Sequence, residues 1–170
     1  MRLAHCVLTG QTGHEAGRQL LAQLYREATG EDLPVILKTD RGKPYFESGT
    51  YHFSISHTPK HAFCVLAKEN VAIDAEELDR TLSLKLAEKI LSPGEKAQFD
   101  AAPDKRRALL TFWVLKEAGV KLTGEGLRGY PNDTDLSLSD PRVQEIDGCL
   151  VAVFTEKQQG GLKESCTAAR

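Results

Sequence analysis

The sequence has no C-x-x-C pair, and its four cysteines, Cys6, Cys64, Cys149 and Cys166, are widely scattered. That spacing argues against a zinc site or a disulfide framework. Three of the four sit in apolar, strand-like runs, where cysteine packs as a small hydrophobe. No stretch is long and apolar enough to span a bilayer, and Arg2, His5 and Thr9 interrupt the start of the chain where a leader's apolar region would lie. A cytoplasmic protein is expected. Charge of one sign is also missing. Lys and Arg number 22 against 24 Asp and Glu, a formal net charge of −2, which gives no reason to expect nucleic acid or an anionic membrane as partner. A P-loop is absent, the G-x-G-x-x-G at 124–129 follows a helix and not the strand that a dinucleotide fingerprint requires, and the G-x-S-x-G elbow of α/β-hydrolases is absent too. A phosphate ligand would therefore have to be held by side-chain cations and a metal.

What remains is ordinary for a globular chain. It has 170 residues, 41% of them hydrophobic and 27% charged, enough for one domain or two small halves sharing a core. Strands are expected at residues 3–8, 34–39, 51–56, 61–68 and 71–76, and a last one at 150–154. An amphipathic helix is expected at 14–29, with Gly30 as its C-cap, and further helices at 82–91, after the Ser92-Pro93-Gly94-Glu95 capping box, and from 104 to 123. The three middle strands read as an antiparallel meander. Residues 124–148 read as loop with a short strand or two, and the polar end from 156 as frayed. Strand–helix–strands followed by strand–helices–strand suggests two similar α+β halves, 1–70 and 71–170.

Three short stretches carry candidate chemistry. In Val71-Ala72-Ile73-Asp74-Ala75-Glu76 the two carboxylates share one face of a strand, with Cα atoms roughly 6–7 Å apart. That pairing suits a hard divalent cation with oxygen ligands, although a solvated acidic edge would look the same. In Trp113-Val114-Leu115-Lys116-Glu117-Ala118-Gly119-Val120-Lys121, Glu117 and Lys121 are helical neighbours one turn beyond Trp113. They could equally be a surface ion pair, and Lys116 has the spacing of a core position. In Phe53-Ser54-Ile55-Ser56-His57-Thr58, His57 lies at a strand-to-loop corner, placed either for a phosphate or for backbone groups. Ser56 and His57 point to opposite faces, which disfavours a nucleophile–base pair. Lys43 in a Gly-Lys-Pro turn and Arg18 on the first helix are cations that could meet an anion or merely solvent.

Taken in order, these stretches resemble the signature of the Sfp-type 4'-phosphopantetheinyl transferases: Phe-Asn-(Ile/Leu)-Ser-His-Ser, (Val/Ile)-Gly-(Ile/Val)-Asp-x-Glu and Trp-x-x-Lys-Glu-(Ala/Ser)-x-x-Lys. The turn Gly42-Lys43-Pro44-Tyr45 matches the one that precedes the first motif, and Thr123-Gly124-Glu125-Gly126-Leu127 matches the glycine-rich end. Ser54, Thr58 and Ala72 depart from the signature, and residues 8–14 lack the basic residues expected before the first helix.

The resemblance implies two related α+β halves about a pseudo-twofold, with the site between them. It implies transfer of phosphopantetheine from coenzyme A to a serine of an acyl or peptidyl carrier protein, releasing 3',5'-ADP. Asp74, Glu76 and Glu117 would hold Mg2+, and Glu117 would deprotonate the serine. Lys121 would stabilise the phosphate under attack, with Lys116 assisting. His57, Ser56, Lys43 and Arg18 would contact the coenzyme. Glu95 would be an accessory acid or only a helix cap. A two-half chain needs no trimer, so a monomer is expected. Two other readings stay open: a magnesium-dependent hydrolase of the coenzyme A pyrophosphate, and a non-catalytic module that binds a carrier protein.

Overall fold

The computed structural model describes residues 1–124 and 135–156. Alternating apolar residues build strands that each present one face to a helix. β1 (Arg2–Val7), β5 (His61–Ala67) and β4 (His52–His57) form one antiparallel sheet in that order. Helix α1 (Gly13–Thr29) covers its outer face, setting Leu20, Leu21 and Leu24 against Phe53, Ala62, Cys64 and Leu66. Its start is fixed by the Thr12–Glu15 capping box and its end by Gly30 in the left-handed region. A small hairpin, β2 (Ile36–Lys38) and β3 (Pro44–Phe46), lies between α1 and β4 in the chain. Its turn depends on Gly42, whose φ of 84° a side chain would resist.

The second sheet repeats the plan. β6 (Val71–Glu77), β8 (Cys149–Thr155) and β7 (Val143–Ile146) follow the same order of first, last and penultimate strand. Helix α4 (Lys105–Thr123) covers its outer face, burying Leu109, Phe112 and Leu115 in one cluster with Ala72, Ala152 and Phe154. Asp104 caps the start of α4 and Gly124 its end. The inner faces of the two sheets then pack on each other. Phe63, Val65 and Ala67 meet Val71, Ile73, Ala75, Val151 and Val153 in a third apolar cluster.

The expected three-strand meander does not form. Both edges of β5 are taken, by β1 and β4, so β6 has no edge to join and opens the second sheet instead. β6 runs beside β4, and serine hydroxyls bridge the two. Ile73 N donates to Ser54 Oγ at 3.1 Å and Ala75 N to Ser56 Oγ at 3.2 Å. Both partners advance by two residues in the same direction, so the neighbouring strands run parallel. The hydroxyls give buried amides the acceptors that a backbone ladder would otherwise supply.

The helix expected at 82–91 is broken into a 3-10 turn at Leu84–Leu86 and the single turn α2 (Ala87–Ile90). Then α3 (Pro93–Ala101) starts at the Ser92–Glu95 capping box, as its sequence indicates. The 124–148 stretch carries β7, and the hairpin register puts Val143 opposite Ala152. Residues 125–127 of the glycine-rich match, the polar end beyond 156 and Cys166 lie outside the described residues.

Candidate active site

β6 and α4 together gather the acidic residues. Asp74 and Glu76 share the face of β6 that looks toward α4, while Ile73 and Ala75 point into the inner core. Asp74 is only 5% exposed. Its Oδ1 accepts from Lys121 Nζ at 2.7 Å and from Ser56 Oγ at 3.1 Å. Its Oδ2 is buried and has no hydrogen-bond partner among the described residues. A buried carboxylate oxygen without a donor is costly and calls for a cation. Glu76 accepts from Trp113 Nε1 at 3.1 Å and is ion-paired with Arg80. Glu117, one helical turn before Lys121, is partly buried. Burial first, and the charge of Asp74 second, push its carboxyl above the ordinary carboxylate value, while Lys121 and Arg80 oppose the rise. These are oxygen donors crowded beyond what their own cations neutralise, which is the donor chemistry of a hard divalent ion.

A cleft of about 650 Å³ lies alongside, between α1, the β2–β3 hairpin and the end of α4. Arg18, Lys38, Arg41, Lys43, His57 and Lys121 all line it. Burial, then the neighbouring His14 and Lys121, hold the His57 imidazole below its usual value. The His14 and His57 rings lie 5.2 Å apart. So many donors and cations around one cavity favour an anionic guest. α1 sits close enough to make this wall because Gly13 and Gly17 have no side chain. A Cβ at Gly13 would come within 2.5 Å of the His57 ring, and one at Gly17 within 2.5 Å of Ile55.

The structure thus brings Asp74, Glu117, Lys121 and Ser56 together, with Glu76 on the same strand face. Arg18, Lys43 and His57 line the adjoining cleft. Ser56 lies behind Asp74, buried in the β4–β6 seam, where it donates to Asp74 and accepts from Lys121 at 3.3 Å. Lys43 donates to Asn70 Oδ1, just before β6, at 2.8 Å and to the Leu122 carbonyl of α4 at 2.7 Å. Lys116 is placed elsewhere. It is 3% exposed and pairs at 2.8 Å with Glu95, which is fully buried. Glu95 also caps α3 through Ser92 N and accepts from Leu136 N, so its carboxylate is wholly occupied within the fold. That packing answers to the core-like spacing of Lys116 and to the capping box of Glu95. Arg80 and His14 were not singled out from the sequence. Arg80 follows Glu76 by four residues and His14 lies in the first turn of α1, and neither spacing is distinctive by itself.

The 4'-phosphopantetheinyl transferase superfamily matches residues 70–164 of this chain. The chain is 28% identical over 116 residues to the 4'-phosphopantetheinyl transferase psf-1 of Bacillus pumilus, covering 67% of this chain and 46% of that protein. It is 33% identical over 124 residues to the 4'-phosphopantetheinyl transferase HetI of Nostoc sp., covering 66% of this chain and 52% of the other. A putative 4'-phosphopantetheinyl transferase of Synechocystis sp., slr0495, is 27% identical over 103 residues, 58% of this chain and 39% of that protein. The chain therefore spans about half the length of these curated relatives. The family match covers more than half of the chain and takes in both the acidic strand and the long helix, so this protein belongs to the 4'-phosphopantetheinyl transferase superfamily.

Proposed function

We propose that this chain is an Sfp-type transferase that moves 4'-phosphopantetheine from coenzyme A to a serine of an apo acyl or peptidyl carrier protein, releasing 3',5'-ADP. The observation that carries the proposal is the buried Oδ2 of Asp74, without a donor among the described residues, at the head of a cation-lined cleft. Asp74, Glu76 and Glu117 would hold Mg2+, whose charge, when bound, offsets that of a pyrophosphate. Arg18 and Lys43 offer positive charge, and His57 an N–H donor, to the phosphates of the coenzyme. Glu117 takes the proton of the attacking serine, and its raised proton affinity suits it to that task. The serine oxygen forms a bond to the phosphorus that bears pantetheine. The bond from that phosphorus to the bridging oxygen breaks, and 3',5'-ADP leaves with the electron pair. Lys121, already 2.7 Å from Asp74, supplies positive charge beside the reacting phosphate. Ser56 supports this arrangement from behind by fixing Asp74 and Lys121. Lys116 has no part in the chemistry, because Glu95 holds it in the core.

Residues 1–70 and 71–170 are proposed as the two halves, with one complete cleft per chain and a monomer as the working unit. A carrier protein as acceptor suits a cytoplasmic setting, and no described helix is long and apolar enough to cross a membrane. The test is to incubate the protein with coenzyme A, Mg2+ and an apo carrier protein, then weigh the carrier. A phosphopantetheine mass gain is expected. Coenzyme A breakdown without carrier modification would point to a hydrolase, and a stable complex with neither to a binding module. Glu117→Gln should slow transfer by about 100-fold or more while leaving the circular dichroism spectrum unchanged. Turnover like that of the wild type in this variant would remove Glu117 from the mechanism.

A further inference from the structure

β6 carries a second charged residue with a different outlook. Glu77 follows Glu76 directly and so projects from the opposite face, away from Asp74 and α4. There it meets His61 from the start of β5 and Cys149 from the start of β8. His61 Nδ1 lies 3.0 Å from Glu77 Oε1 and 3.4 Å from Cys149 Sγ. One donor atom from each residue falls within 4.8 Å of the others, and all three residues are buried. Thr58, just past β4, adds a hydroxyl that donates to Glu77 Oε1 at 2.6 Å. The exposed Lys60 covers the group, its ammonium 3.6 Å from Glu77 Oε2 and 2.8 Å from Asp79.

These residues do not form a nucleophilic triad. In such a relay the thiol and the carboxylate use different ring nitrogens of the histidine. Here both approach Nδ1. Three unlike donor atoms, N, O and S, converging on one point is instead the pattern of a metal centre. Tetrahedral zinc with Zn–S near 2.3 Å and Zn–N or Zn–O near 2.0–2.1 Å puts its ligand atoms about 3.4–3.6 Å from one another. The separations of 3.0 and 3.4 Å about Nδ1 come within about half an ångström of that, and the third lies within 4.8 Å. A mixed thiolate, imidazole and carboxylate set suits zinc, whereas the oxygen-only set around Asp74 suits magnesium.

We propose that His61, Glu77 and Cys149 form a zinc site, separate from the acidic active site and independent of the transferase reading. Binding exchanges the Cys149 S–H bond for S–Zn and releases that proton to solvent. A neutral His61 that gives Nδ1 to zinc carries its ring proton on Nε2, and Glu77 stays a carboxylate. One proton is therefore lost per zinc bound. Burial, with Glu77 alongside, pushes the free Cys149 thiol up to about 11, so the metal-free site carries a thiol and not a reactive thiolate. Zinc would tie β5 of the first half to β6 and β8 of the second, fastening the halves at the end of the seam that Ser54 and Ser56 stitch.

The test uses the full chain stripped of metal, with excess magnesium present to occupy the acidic site. Cobalt(II) serves as a spectroscopic probe and zinc as its competitor. One cobalt per chain should give intense four-coordinate visible bands and a sulfur-to-cobalt charge-transfer band in the near ultraviolet, and one equivalent of zinc should abolish both. Cys149→Ser should lose the charge-transfer band and weaken zinc binding by more than the ~10–100-fold that loss of a supporting group costs. Glu77→Gln and His61→Gln should each weaken it by at least about tenfold and keep the sulfur band at saturating cobalt. Absence of the band in the wild-type chain would overturn the proposal, and that result needs no variant to fold. So would a band that persists in Cys149→Ser, since the sulfur would then belong to another cysteine.

Discussion

The two halves share a strand order and an outer helix, yet they handle charge differently. In the first half the ion pairs lie on the surface: the Arg2–Glu27 side chains are 52% and 46% exposed, and the Arg26–Asp32 side chains 70% and 85%. Its interior is apolar, and the cations that matter, Arg18 and Lys43, border the cleft. The second half has exposed pairs too, such as Arg107–Glu145 at 50% and 50%, but it also buries two. Lys116–Glu95 is 4% and 0% exposed, and Arg142–Asp140 13% and 8%. In the candidate active site, too, Lys121 rests on a buried Asp74. The two sheets with their outer helices are thus furnished asymmetrically, the first bordering the cleft with cations and the second holding several charges fixed inside the fold. Changes to those buried charges should therefore disturb folding, while surface pairs contribute little.

The sharpest break of this contrast is at Glu95. Glu95→Ala would remove the carboxylate that pairs with the buried Lys116 ammonium and strip the acceptor from Ser92 N and Leu136 N. A loss of about 3–5 kcal/mol is expected, read from urea unfolding, against about 0–1 kcal/mol for Asp32→Asn in the first half. Equal losses at Glu95 and Asp32 would dissolve the distinction between the halves.

Next in size is the seam itself, which belongs to both halves. Ser54→Ala removes the acceptor of Ile73 N, and Ser56→Ala that of Ala75 N. Each leaves a buried amide unsatisfied and should cost about 1–3 kcal/mol. Ser56→Ala should in addition lower turnover, since its hydroxyl also holds Asp74 and Lys121, whereas Ser54→Ala should spare it. A matching loss of turnover in both variants would mean that the seam acts as a whole and that Ser56 has no separate positioning role.

The seam also marks where the sequence stops being readable. Period-two and period-four spacing put Asp74 with Glu76, and Glu117 with Lys121, before any fold was known, because both elements are regular and local geometry alone decides which side chains share a face. The helix bounds at Gly30, Ser92, Asp104 and Gly124 were legible for the same reason. Strand pairing was not. Whether β6 continues a meander or opens a new sheet depends on which edges of β5 remain free, and β1, more than fifty residues earlier in the chain, decides that. Lys116 shows the core spacing that the helix gives it, but its partner lies 21 residues away on another helix. The His61–Glu77–Cys149 group leaves no spacing signature at all, since Cys149 is 88 residues from His61 and the three meet only once both sheets have formed.

The smallest expected effect tests the contrast at the margin of the second half. Asp140 accepts from Arg142 through backbone and side chain, at 3.0, 2.8 and 2.6 Å, and the guanidinium lies 3.9 Å over the Phe154 ring. Burial pushes the Asp140 carboxyl up, but the Arg142 hydrogen bonds and charge outweigh it, and the group is held below its ordinary value of 3.8. A carboxyl depressed in the folded state binds its proton more weakly there than in the unfolded chain. Its contribution is complete above the ordinary value and is lost as pH falls from there through the folded value. Asp140→Asn should therefore cost about 1 kcal/mol or less at neutral pH. It should also flatten the decline of melting temperature between about pH 4 and pH 2 relative to the wild type. The same scan on Asp32→Asn should overlay the wild-type curve within error. If that surface variant flattened the acid limb as much as Asp140→Asn does, burial would not be what separates the ion pairs of the two halves.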